Sequence, residues 1–252
     1  MLKNHNRVIL LALLIVIFNF NLFMLSKKNI LIFVCLLLLA AVAVFVVWYQ
    51  RVGREETKNL SLDNPEQLFN VVVPADFDDA KKERLAEKLA EARVLYEKNK
   101  EDNWTWVVLG NMYEFVRDYD RAILAYEKAT ELNKNTITAI LSLADIYERQ
   151  KKNYALAEEY YKKAIAIDNT KPDIYITLAK LYEFRLNQLD KSEGAYLQGL
   201  QNLENNADLL VGLITFYQRT NNTAKAGEYA RKLLILFPDD VGYQKDFGAL
   251  AK

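Results

Sequence analysis

Between residues 103 and 240 the sequence repeats itself about every 34 residues, and no other feature restricts the fold as tightly. The first unit is marked by Trp106, Leu109, Gly110, Tyr113, Ala122, Tyr126 and Ala129. The second has Ile140, Leu143, Ala144, Tyr147, Ala157, Tyr161 and Ala164, and the third Tyr175, Leu178, Ala179, Tyr182, Ser192, Tyr196 and Gly199. The fourth has Leu210, Leu213, Ile214, Tyr217, Ala226, Ala230 and Leu233, followed by Pro238. Spacings of three and four residues put the marked positions on one helical face. The pattern predicts two helices per unit, A and B, in units at 103–136, 137–171, 172–206 and 207–240. Tyr147 to Ala157 and Tyr182 to Ser192 are ten residues apart, against nine in units one and four, so units two and three carry one extra residue in their internal turn. Ile214 and Leu233 stand where the other units are small, which predicts looser packing in the fourth.

This layout resembles the tetratricopeptide repeat family over residues 103–240, although three of the four units lack its closing proline. The resemblance implies an all-α fold, a TPR α-solenoid in which antiparallel helix pairs stack as a right-handed superhelix. On that fold Gly110, Ala144 and Ala179 face Ala122, Ala157 and Ser192 where helix B crosses helix A. Small side chains there would let the axes approach toward the short end of ~8–10 Å. Tyr113, Tyr147, Tyr182 and Tyr217 are expected to fill the wedge between successive pairs. A single pair cannot bury its apolar face alone, so the stack needs covered ends. Residues 78–102, with Leu85, Leu89, Ala92 and Tyr96 on one face, are read as an N-terminal capping helix. Residues 241–252 are read as a C-terminal capping helix, and Phe247-Gly248 echoes Leu109-Gly110 as the stub of a fifth helix A.

The first 54 residues read differently. They hold six basic residues, no acid, and two uncharged apolar runs at 8–25 and 30–49. At ~1.5 Å per residue, runs of this length approach the ~30 Å thickness of the hydrocarbon layer. Trp48 and Tyr49, followed by Arg51 and Arg54, suit a membrane interface. Residues 1–54 are therefore expected to be a membrane anchor, either one transmembrane helix or a helical hairpin, and 55–77 a linker with Pro65 and Pro74. No small-x-small site follows the first run, which argues against a cleaved signal peptide. For a hairpin, Lys3, Arg7, Arg51, Arg54 and Lys58 outvote Lys27 and Lys28 and put both ends inside; a single span leans the other way. The expectation is a membrane location, a bacterial inner or plasma membrane, with the repeats cytoplasmic.

Catalysis is not expected. His5 precedes the first apolar run and Cys35 lies inside the second, so no histidine or cysteine is left in the repeats for a zinc site or a nucleophile pair. The eight glycines form no phosphate-binding loop, and no cofactor or small-molecule substrate is implied. Residues 55–252 carry 27 basic and 33 acidic groups, a balance that does not favour nucleic acid. The Asn-x-Ser/Thr triplets at Asn59, Asn103 and Asn221 matter only in a secretory compartment.

The resemblance instead implies a protein or peptide partner bound along helix A, mainly at its second, fifth, ninth, twelfth and thirteenth positions. The fifth position gives the aliphatic row Val107, Leu141, Ile176 and Val211. Around it stand Trp104, Asp173 and Asp208 at the second position, and Asn111, Asp145 and Lys180 at the ninth. Glu114, Glu148 and Glu183 occupy the twelfth; Phe115, Arg149, Phe184 and Arg219 the thirteenth. Six acids against three bases predict a groove for a basic, apolar segment, in a membrane-tethered scaffold. An outward-facing assembly factor on a single span, and a regulatory subunit of an enzyme supplied in trans, are the alternatives. The clamp by which some family members grip a C-terminal carboxylate is not expected. Val107, Asn111, Ser142, Asp173 and Thr177 match it at one position in five, with an acid in place of a lysine.

Overall fold

The structure, a computed structural model, describes Leu62 and residues 64–252. The two apolar runs, the anchor they are expected to form and residues 55–61 of the expected linker lie outside the described residues. Every regular element among the described residues is a helix. A short α1 (Pro65–Leu68) and a long α2 (Asp79–Lys98) precede four antiparallel pairs. These are α3 (Asn103–Phe115) with α4 (Tyr119–Leu132), α5 (Ile137–Arg149) with α6 (Tyr154–Ile167), α7 (Pro172–Phe184) with α8 (Leu189–Asn202), and α9 (Ala207–Arg219) with α10 (Thr223–Leu236). A final α11 (Val241–Phe247) follows. None of the described helices is long and apolar enough to cross a membrane.

The helix ends are written into the sequence. Asp78, Asp102, Asp118, Asn153, Asn206, Asn222 and Asp240 are N-caps whose side chains accept a backbone N–H of the first turn, a contact typically worth ~1 kcal/mol each. The turns inside the pairs run over 116–118, 150–153, 185–188 and 220–222, so pairs two and three have the longer turn. Each turns through one left-handed residue: Arg117, Lys152, Asn187 or Asn221. In each, the carbonyl of the unit's marked tyrosine, Tyr113, Tyr147, Tyr182 or Tyr217, accepts the N–H of the helix B cap residue. The tyrosine thus packs the core with its ring and closes the turn with its backbone.

Each pair packs internally, each B helix packs on the next A helix, and the pairs bury three successive apolar clusters that share the partly buried Tyr147, Tyr160, Leu200 and Tyr229. Ala122, Ala144, Ala157, Ala179 and Ser192 are fully buried at the expected contact positions. Gly110 has a more specific role than letting the axes approach. A Cβ there would lie 2.4 Å from the Tyr126 ring. The ring of helix B occupies the notch that the glycine leaves in helix A. Gly212 leaves a similar notch, where a Cβ would lie 2.6 Å from Tyr196 of the preceding unit. In the fourth pair Ile214 and Leu233 are fully buried beside Leu210 and Ala230, so the bulkier residues fill that core.

Residues 64–77 are not a spacer. They form a strap packed on the first pair, with Leu68 and Phe77 in the main core. Tyr113 Oη donates to the Leu68 carbonyl at 2.7 Å, and Arg121 Nη1 donates to the carbonyls of Gln67 and Asn70 at 3.2 and 2.8 Å. The Arg117 guanidinium grips both oxygens of Asp76, and Phe69 sits between the Arg93 guanidinium and Tyr96. The prolines and short apolar pieces suggest a linker in one dimension. Two anchors, each worth ~1.5–3 kcal/mol on burial, hold the segment down in three. Strap and α2 together stand before α3 as an incomplete hairpin.

The expected C-terminal helix is shorter than its range. Helix α11 stops at Phe247, and residues 248–251 continue as turns. Its stub character is visible in what it touches. A Cβ on Gly227 of α10 would meet the Leu250 carbonyl at 2.7 Å. Glu158 and Glu193 occupy the equivalent place in units two and three, where they receive the tyrosine hydroxyl of the next unit. The chain end therefore lies where a fifth unit would place its tyrosine.

Two glycines should respond oppositely to alanine. Gly110→Ala forces the Tyr126 ring out of its notch and should cost ~1–3 kcal/mol. Gly194, exposed on α8 with open space around its Cα, should gain ~0.5–1 kcal/mol. Thermal unfolding of the two variants followed by circular dichroism checks both signs.

Candidate partner-binding face

The A helices α3, α5, α7 and α9 carry the expected binding positions, and α3 with α5 and α7 with α9 are in direct contact. The aliphatic row is not uniform. Leu141, Ile176 and Val211 are partly buried and keep surface open to a partner. Val107 is fully buried in the main core and is no part of an accessible floor. Phe115, expected to be open, is partly covered: Phe77 of the strap packs edge-on at 5.1 Å between ring centroids, and Lys88 of α2 lies 5.6 Å from its centroid. Strap residues fill space that the sequence pattern leaves vacant in unit one, so the open row begins at the second pair. Trp104 is half exposed in the first turn of α3, with its N–H bonded to the Asp102 cap.

The acids divide into three kinds. Asp173 and Asp208 are exposed in the first turns of α7 and α9, where the helix N-terminus favours an anion whatever else it does. A second group is already paired with arginine. Asp145 binds Arg149 at 2.6 Å, Glu183 grips the Arg219 guanidinium through both oxygens at 2.7 and 2.8 Å, and Glu148 lies 3.6 Å from Arg185. The third kind is Glu114, which has no ion pair among the described residues. The face is therefore less acidic than its residue tally. Lys180, by contrast, is exposed and unpaired among the described residues.

Glu114 sits in a network that the sequence did not announce. Tyr126 Oη lies 2.5 Å from a Glu114 oxygen and 2.6 Å from the Asn111 side-chain oxygen. A hydroxyl has one proton to give. The consistent assignment turns the Asn111 amide over, so that it donates to Tyr126 while Tyr126 donates to Glu114. The next unit repeats the tyrosine contact, Tyr161 Oη donating to Glu148 at 3.0 Å. The hydroxyl acts from a helix B residue twelve or thirteen positions after the carboxylate, at Glu114/Tyr126 and Glu148/Tyr161; Glu183, thirteen before Tyr196, is bonded to Arg219 instead. A second series crosses between units, with Tyr182 Oη donating to Glu158 and Tyr217 Oη to Glu193 at 2.9 and 2.7 Å.

Burial raises the Glu114 carboxyl above its ordinary pKa; the Tyr126 bond opposes this, and the nearby Asp145 charge adds to it. Burial also raises Asp145, against the pull of Arg149. Glu193 moves the other way, held low by Lys225 and then by Tyr217. No group of three or more metal-ligating side chains exists among the described residues. Two clefts lie elsewhere. One of about 830 Å³ opens between the strap and the end of α2, around Phe69, Arg93 and Tyr96. The other, about 440 Å³, lies beside Val72, Val116 and Tyr119. Both flank the strap, and neither includes the aliphatic row.

A carboxylate with a raised folded pKa adds nothing to stability below the unfolded pKa; its cost builds as the pH rises and is complete above the folded pKa. Glu114→Gln keeps an acceptor for Tyr126 and removes that cost. Its melting temperature should exceed that of the wild type at neutral pH, and the difference should shrink as pH falls to ~4. Paired thermal melts across that range test it.

Residues 108–172 match the family model described as tetratricopeptide repeat. Among solved structures, two crystal structures of MamA superpose with TM-scores of 0.51 and 0.50, at 18% and 17% identity. Each covers 66% of this chain, with 89% and 99% of the MamA chain matched, and the likeness shows the fold alone. Two curated relatives also match. The general transcriptional corepressor ssn6 of Schizosaccharomyces pombe is 31% identical over 137 residues, 54% of this chain and 12% of that protein. The general transcriptional corepressor trfA of Dictyostelium discoideum is 30% identical over 125 residues, 49% of this chain and 9% of that protein. The chain thus spans about a tenth of the length of the curated relatives it matches. The family model thus places the tetratricopeptide repeat at residues 108–172, and the solved structures share the fold of stacked helix pairs.

Proposed function

We propose that the repeats are a non-catalytic docking scaffold that receives an extended or helical segment of another protein along the A helices. The observation that carries this reading is the row Leu141, Ile176 and Val211, apolar side chains left partly open on successive A helices. Glu114, held by Tyr126 and without an ion pair among the described residues, favours a segment basic at that end of the row. Corepressors that share the repeats fit an adaptor role, though they match only in this part. The apolar runs at 8–25 and 30–49 support a tether to a bacterial inner or plasma membrane, with the repeats inside. Such a tether would raise the effective concentration of the scaffold for membrane partners.

A peptide array probed with the full chain tests the docking reading. Leu141→Asp should abolish retention of bound peptides, and Glu148→Lys should weaken basic ones about tenfold, through lost attraction and new repulsion. Unchanged retention in both variants removes the groove from consideration. Protease digestion of spheroplasts tests the orientation: cleavage of the repeats only after lysis supports the inward placement, and cleavage of intact spheroplasts supports an outward-facing assembly factor.

A further inference from the structure

Resting on the docking reading above, we infer that Phe184 is a preorganised stacking platform for an aromatic side chain of the bound segment. It thereby fixes which way the segment lies in the groove. Phe184 ends α7 and is 58% exposed, the most open of the aromatics at groove positions. A single exposed phenylalanine is ordinary on a protein surface. This one is built into a stack. The Arg219 guanidinium of α9 lies 5.2 Å from the ring centroid. Its Nε and Nη2 are both taken by Glu183, whose side chain is only 7% exposed.

Two consequences follow from that geometry. The guanidinium is neutralised and its Nε–Nη2 edge is taken, so it is a weaker grip for a partner's carboxylate than a free arginine and a good support for the ring. The ring is held on one side and open on the other, so little side-chain freedom is lost when a second ring packs against it. Of the groove charges on α7 and α9, Glu183 and Arg219 cancel each other, Lys180 lies one turn before Phe184, and Asp173 and Asp208 sit at the far N-terminal ends of those helices. Neither equivalent position repeats the arrangement. Phe115 lies under Phe77, and Arg149 turns to Asp145 on its own helix. The groove is therefore asymmetric, with unneutralised acid at Glu114 beside the first two units and an uncharged aromatic platform beside the last two. The occupant that fits is a segment basic at one end and aromatic at the other, its ring offset or edge-on at ~4.5–7 Å from Phe184.

The test is selection of a random phage-displayed peptide library on the detergent-solubilised full chain, followed by binding of an enriched peptide to variants. Phe184→Leu keeps apolar bulk at an exposed site and removes the ring. Arg219→Lys keeps the charge and loses the planar stack. The expected result is an enriched motif with a fixed aromatic residue, weakened about three- to tenfold by Phe184→Leu and less by Arg219→Lys. Enriched peptides that lose binding in Leu141→Asp yet are indifferent to Phe184→Leu overturn the platform and leave the groove standing. A library that yields no enriched peptide overturns the docking reading and the platform together.

Discussion

The first hairpin depends on a ring of helix B lying in a notch of helix A. Tyr126 occupies the space that Gly110 vacates, and its hydroxyl emerges on the far side of helix A beside Asn111 and Glu114. One side chain thus sets the distance between two helices, fills the core, and fixes a carboxylate on the face where a partner would dock. Tyr161 links core and surface in the same way in the second unit. Packing and recognition are not separable here: a change that loosens the notch also releases the carboxylate.

Much of this was legible in one dimension. The recurrence of large and small residues fixed the number of pairs, and the ten-residue spacings located the longer turns. The strap was not legible. Its buried anchors, Leu68 and Phe77, are nine residues apart with prolines between and beyond them, which matches neither helical nor strand periodicity. Its polar contacts come from arginines more than forty residues away. Long-range capture of a nonperiodic segment leaves no local signal.

The docking face was legible as a set of positions and not as an electrostatic surface. Counting charges treats Asp145, Glu183 and Glu114 alike, yet two of them are neutralised by arginines and one is not. Val107 and Phe115 illustrate the same limit for apolar groups. Their positions match the family pattern, yet Val107 is fully buried and Phe115 is partly covered by Phe77. Position in a repeat says which way a residue can point; only the neighbours decide whether it is available.

Arg121 reads the backbone of the strap, not its side chains, since it donates to the carbonyls of Gln67 and Asn70. With the Tyr113 hydroxyl on Leu68, it forms a cluster of bonds clasping one short stretch of chain from the side. Tension applied to the polypeptide ahead of Asn64 would pass through these bonds into Tyr113 of α3 and Arg121 of α4. The strap thereby ties the start of the described chain directly to the first docking pair.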